Sequence, residues 1–118
     1  MKDFSKKTNN ADLKKTIENY ILDFYDTYYK TDRLKLYSYL NTSFQREIPL
    51  NYFLIHSDYD IDLGTILEVT SITFEKDYIA VEITVKINNK KRDIVINVIS
   101  DFGGWKIDGD SIYRGNYS

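Results

Sequence analysis

Cysteine is absent from the 118 residues, and proline, methionine, tryptophan and histidine occur once each. Without a thiol there is no disulfide, no thiol nucleophile and no cysteine-bound metal, and the redox compartment leaves no mark. A single histidine argues further against a zinc site, so neither metal nor cofactor is expected. The five glycines build no phosphate-cradling loop and no Gly-x-Ser-x-Gly elbow. No apolar run approaches the ~20 residues of a membrane-spanning helix, and no secretory signal is visible. Localisation is therefore open: cytoplasmic by default, extracytoplasmic if a leader once preceded Met1. Charge of one sign is lacking too. The net charge is −2 and the pI about 5.3, with both signs interspersed. Nucleic acid, which wants a basic face, is not an expected partner.

What is present is one domain's worth of chain, long enough to bury a core without staples. Apolar residues make up 42% and aromatic ones 15%, and eleven of the latter are tyrosines. Part of the core must therefore carry hydroxyls that need partners. Residues 1–10 are polar and lysine-rich and read as a flexible tail, leaving residues 11–118 as a single α+β domain. Heavy use of Ile, Lys, Asn and Tyr suggests an AT-rich, bacterial coding sequence.

Leu13, Ile17, Tyr20, Ile21, Phe24 and Tyr28 recur at steps of three and four, which predicts one apolar stripe on a helix from about Ala11 to Lys30. Thr31 and Asp32 break it, and either can cap a second helix reaching about Leu40, with Leu34, Tyr37 and Leu40 inward. Phe44 to Ile55 is ambiguous: Pro49 forbids a long helix, while Tyr52 to Ile55 suggests a short buried turn. From Ile66 the period becomes two. Ile66 to Phe74 alternates imperfectly, as a bulged strand would. Ile79 to Ile87 alternates cleanly, and Asn88-Asn89-Lys90 turns the chain. Ile94 to Ile99 is apolar on both faces except Asn97, which predicts a central strand covered on both sides. After Gly103-Gly104 comes a last strand from Trp105 to Ile107, and Asp108-Gly109-Asp110-Ser111 reads as a tight turn.

The helix Ile17 to Lys30, the Thr31-Asp32 break, the short helix to Leu40 and the closing Gly103-Gly104-Trp105-Lys106-Ile107-Asp108 resemble the nuclear transport factor two-like superfamily. That superfamily includes ketosteroid isomerase and SnoaL-like proteins. The resemblance covers roughly Ala11 to Ile112. It implies a long N-terminal helix and short helices packed in a curved, mostly antiparallel sheet, a cone-like, cystatin-like roll with a pocket at its open end. It also implies many functions, from isomerases and dehydratases to toxin-immunity proteins and domains without chemistry, because fold alone does not decide function.

The resemblance carries catalytic residues over poorly. The isomerase tyrosine, eight residues before the break Asp, falls on Phe24, which has no hydroxyl. Tyr20 or Tyr28 lies one turn away. Dehydratase-like members use His with Asp and Tyr, and His56-Ser57-Asp58-Tyr59 offers those groups; a lone loop histidine is more often merely solvated. His56, Asp58 and Tyr28 are thus the catalytic candidates. Asp58, Asp60 and Asp62 alternate, but Leu63 stands where a calcium loop wants glycine and Val69 where it wants glutamate. An edge strand with its carboxylates outward fits better. Trp105 is most simply core.

The expectation is a small non-catalytic binding or accessory module whose partner is another protein or a second copy of itself. Ser71, Glu82, Thr84, Lys86 and Asn97 should supply the sheet face turned away from the helix. The alternative is an isomerase, dehydratase or carrier holding a small apolar ligand in a pocket walled by Tyr20, Phe24, Tyr28, Phe53, Phe74 and Trp105.

Overall fold

The stripe expected on the first helix is the one it buries. In the computed structural model, which describes residues 7–113 and side chains from residue 11, Ile17, Ile21 and Phe24 are fully buried. Burying each such side chain is worth about 1.5–3 kcal/mol. Tyr25, beside the stripe, is fully buried as well. The helix, α1, spans Lys7–Tyr29, so it begins inside the segment expected to be a tail; residues 1–6 of that tail lie outside the described residues.

α1 ends by a Schellman pairing. Asp32 N–H donates to Thr27 O (3.4 Å) and Thr31 N–H to Tyr28 O (3.0 Å), with Thr31 left-handed at φ 56°. Glycine is the usual residue there, and a β-branched side chain costs about 1–2 kcal/mol. Asp32 then caps α2 (Arg33–Ser38), its Oδ1 accepting from Lys35 N–H at 3.1 Å.

The ambiguous stretch is helical and is cut by Pro49, giving α3 (Thr42–Glu47) and α4 (Leu50–Ile55). Phe44 and Phe53 are the side chains these helices bury. A single 3₁₀ turn follows at Ser57–Tyr59.

Four antiparallel strands then run as a meander, β1 (Thr65–Phe74), β2 (Ile79–Ile87), β3 (Lys90–Asp101) and β4 (Gly104–Ile107). The fold class is α+β, as expected. β1 slips register between Ile66 and Glu68 and again between Val69 and Ser71, so Leu67 and Thr70 are its bulged residues. Asn88 and Asn89 both take positive φ, 53° and 65°, the turn whose twist suits a two-residue hairpin.

Three expectations fail. Leu34, expected inward on α2, is 61% exposed, and Leu36 is the side chain that helix buries. β3 is central in the sheet, but only one of its faces is covered: Ile96 and Val98 are buried while Val95 is 45% exposed. An apolar run identifies a central strand without saying that a second layer exists. The Asp58 to Asp62 segment is no edge strand either; β1 and β4 are the edges. The backbone there begins in the 3₁₀ turn, with Tyr59 N–H donating to His56 O (3.1 Å) and Asp60 N–H to Ser57 O (3.1 Å).

The last element, α5 (Gly109–Tyr113), occupies what reads in sequence as a plain Asp-Gly turn. A Cβ on Gly109 would lie 2.4 Å from the buried Phe44 ring, so only glycine lets the two pack. Ile112 and Tyr113 complete a continuous core with α1, α2, α3, α4 and the inner face of the sheet.

Candidate functional site

The excess of tyrosine on α1 has a structural use at the helix's C-terminal end. Tyr25 donates to Leu63 O (2.9 Å), Tyr28 accepts from Leu63 N–H (3.0 Å), and Tyr29 accepts from Ile66 N–H (2.7 Å). Asp62 Oδ1 receives both the Tyr28 hydroxyl (3.3 Å) and Gly64 N–H (2.9 Å). Three hydroxyls and one carboxylate thus fix the approach to β1, doing for its backbone what a neighbouring strand would do elsewhere. The alternating aspartates carry no metal signature: among the described residues no group of three or more His, Asp or Glu could hold an ion.

Burial holds the Tyr25 and Tyr113 hydroxyls well above their ordinary pKa of 10.0, and Tyr20 and Tyr28 are raised for the same first reason. The unfolded chain therefore loses these protons first. Their contribution to stability is complete below about pH 10 and falls as pH rises from there through the folded-state values. Melting temperature should decline above about pH 10, and Tyr25→Phe, which removes one titrating hydroxyl, should give a shallower decline. Equal slopes for the two proteins would show that Tyr25 does not titrate differently in the two states.

Two cavities flank Tyr28. The smaller one, partly open to solvent, measures about 70 Å³ and is lined by α1 (Thr27, Tyr28), the strained Thr31, Asp32, Arg33 and Leu36, the stretch Tyr59–Ile61 with Leu63, and Tyr113. The other is an open groove of about 470 Å³ between Tyr28, Tyr29 and Asp62 and the Lys86–Asn89 end of the β2–β3 hairpin.

Arg33 is the centre of the first. Its Nη2 donates to Phe53 O (3.0 Å) and Tyr59 O (2.9 Å), and its Nη1 to Leu54 O (3.3 Å). The guanidinium carbon lies 5.1 Å from the centroid of the Phe53 ring. Arg33 thus ties α2 to the last turn of α4, whose carbonyls suit a cation.

The residues expected to carry chemistry are dispersed. His56 caps α4, stacks on Tyr52 (4.5 Å between centroids) and accepts Asp58 N–H at Nδ1 (3.2 Å). Its Nδ1 lies 3.5 Å from Asp58 Oδ2 at the surface. Tyr28 is bonded to Asp62 and Leu63 instead of joining that pair. Of the six residues expected to wall an apolar pocket, Tyr28 lines both cavities and the other five line neither. Phe24 and Phe53 are fully buried core residues. Tyr20 leans on Tyr39 (5.3 Å) and donates to its carbonyl, while Phe74 and Trp105 are partly buried against the core.

Sequence reasoning missed Arg33 and Tyr113. A signal for Arg33 was present: Lys30, Leu36 and Tyr37 occupy its helical neighbour positions, so no acid was placed to pair with it along the chain. Tyr113 carried none.

The sheet's outer face is the other candidate surface. Ser71, Glu82, Thr84, Lys86 and Asn97 all lie on it, as expected, because each pairs across strands with another outward residue. Leu67 and Val95 add exposed apolar area, each 45% exposed. Lys86 stands directly opposite Lys91, and among the described residues neither has an ion-pair partner. Like charges at opposed positions are destabilising, so this end of the face is frustrated in the isolated chain.

The chain matches no family model, no curated protein and no solved structure. Its function is read from its own surfaces. Among the described residues no helix is long and apolar enough to cross a membrane.

Proposed function

We propose that this chain is a non-catalytic binding module of the nuclear transport factor two-like kind that associates through the outer face of its sheet, a second copy being the partner that face fits. The opposed, unneutralised Lys86–Lys91 pair carries the reading. At the other end of the face lies Asp101, whose Oδ2 already accepts from Thr42 N–H (2.6 Å), and between them run Glu68, Asp93 and Glu82, then Lys106, whose Nζ donates to Ser38 O (2.8 Å). A twofold axis lying across the strands, between the Glu82–Val95 and Ala80–Asn97 pairs, reverses strand direction. It sets the two lysines of one copy over Asp101 of the other, and the Glu68–Asp93 row over Lys106. Val95 meets the Ala80–Asn97 row at the centre. A polar face of mixed charge makes a weak, wet interface, not an obligate one.

The cavities favour a non-catalytic reading. The smaller, at about 70 Å³, is well below the ~300 Å³ at which pockets for drug-sized ligands begin, and the 470 Å³ groove is a broad, open surface whose lining is polar apart from the Tyr28 and Tyr29 rings. His56, Asp58 and Tyr28 do not converge on a common point from which a proton could be moved.

Val95→Asp tests the reading. It sets a carboxylate at the centre of the face, across from Glu82. The fold should lose less than about 1 kcal/mol, while self-association weakens at least tenfold by native mass spectrometry. Unaltered dimerisation would move the interface elsewhere, and a retained adduct of a few hundred daltons would favour the small-molecule alternative.

A further inference from the structure

The smaller cavity has donors that the fold does not use. Arg33 engages three carbonyls, which leaves Nε–H and the second Nη1–H. Among the described residues no carboxylate forms an ion pair with it. Tyr113 is 1% exposed and lines the same cavity, and among the described residues its hydroxyl has no hydrogen-bond partner. A half-buried guanidinium with uncommitted N–H groups and a buried tyrosine whose hydroxyl has no hydrogen bond among the described residues thus line one cavity. Thr31, held left-handed at φ 56° where glycine is usual, lines it too, and such backbone strain concentrates at ligand sites.

We propose that this cavity is a carboxylate site, in which one free Arg33 N–H and the Tyr113 hydroxyl each hold one oxygen of a small carboxylate. Both Nη2 hydrogens are given to Phe53 O and Tyr59 O, so arginine contributes a single charge-assisted hydrogen bond. A space of about 70 Å³ admits a group of formate to acetate size. The apolar walls, Leu36, Ile61 and Leu63, suit a methyl or methylene beside the charge. Two acids also line the cavity and set a limit on affinity. Asp32 is engaged by Lys35 N–H, and Asp60 is exposed to solvent. Their charge opposes an anion, so binding in the millimolar range is expected. Burial raises the Tyr113 pKa, and the hydroxyl stays a donor throughout the neutral range. The carboxylate can belong to a free small acid or to the C-terminus of a peptide.

An NMR titration near pH 7 with sodium acetate, against sodium chloride at equal ionic strength, tests this. Saturable shifts at Thr31, Arg33 and Tyr113 are expected with acetate only. Tyr113→Phe removes an oxygen the fold does not bond, so it should fold normally and bind about tenfold more weakly. A dipeptide of alanine and its C-terminal amide distinguish the sources. Binding of the free acid more tightly than acetate assigns the site to a chain terminus, and tighter acetate assigns it to a small metabolite. Identical shifts in chloride, no effect of Tyr113→Phe, or equal binding of the amide would each overturn the proposal.

Discussion

Phe53→Ala should destabilise the protein by about 3–5 kcal/mol, the largest loss expected of any single truncation in this chain. The ring is fully buried and stands among Tyr37 (5.0 Å), Tyr113 (5.7 Å), Tyr59 (5.8 Å) and Phe44 (6.5 Å), with the Arg33 guanidinium at its face. Each aromatic pair is worth about 0.5–1.5 kcal/mol beyond the area it buries. Its neighbours are rings fixed by their own contacts: the Tyr37 hydroxyl donates to Ile48 O at 2.7 Å, and Phe44 stacks on Tyr113 at 5.7 Å. The space left by truncation therefore closes only in part. Urea denaturation should show a lower midpoint at unchanged slope, and the melting temperature should fall by roughly 10–20 °C. A loss below about 1 kcal/mol would mean that the cluster repacks freely.

Gly64→Ala should cost about 2–5 kcal/mol, from two causes that add. The backbone is left-handed at φ 79°, where a Cβ costs about 1–2 kcal/mol. The same Cβ would lie 2.6 Å from Ile87 Cγ1 and 2.9 Å from the Lys86 carbonyl oxygen. The isoleucine can give way, but the carbonyl belongs to a paired strand and cannot without breaking register, an overpacking cost of about 1–3 kcal/mol. The loss should appear in thermal unfolding together with faster amide exchange at Leu63 and Ile66, whose N–H groups the α1 tyrosines hold. A neutral substitution would show that the approach to β1 is not fixed as described.

These two sites show where sequence and structure part company. Periodicity made α1 and β2 legible because each buries one face, and the period of a half-buried element is written in its apolar residues. It made the β1 bulges legible for the same reason, since two extra residues break the alternation. Outward assignment of Ser71, Glu82, Thr84, Lys86 and Asn97 followed from that alternation. Asp58 to Asp62 misled because alternation is necessary for a strand and not sufficient. What holds that stretch is a 3₁₀ turn closed on His56 O and Ser57 O, the Arg33 guanidinium on Tyr59 O and the Tyr28 hydroxyl on the Asp62 carboxylate, the last two being long-range contacts with no local trace. Helix α5 misled because Asp-Gly has local reasons to turn, and the need for glycine at 109 comes from Phe44, a residue far back in sequence. The site residues Arg33 and Tyr113 meet only through tertiary packing. Tyrosine excess was visible as a demand for hydroxyl partners, but not as the device that anchors the β1 approach.

The central claim, a binding module that works through its sheet face, is tested most directly by sedimentation equilibrium of the unmodified protein over a wide concentration range, at low and at high salt. The account expects a reversible monomer–dimer equilibrium that weakens from about 50 to about 500 mM salt, because the complementary rows of charge lie on an exposed face and are screened. A species that stays monomeric at every concentration, or a dimer indifferent to salt, would contradict it.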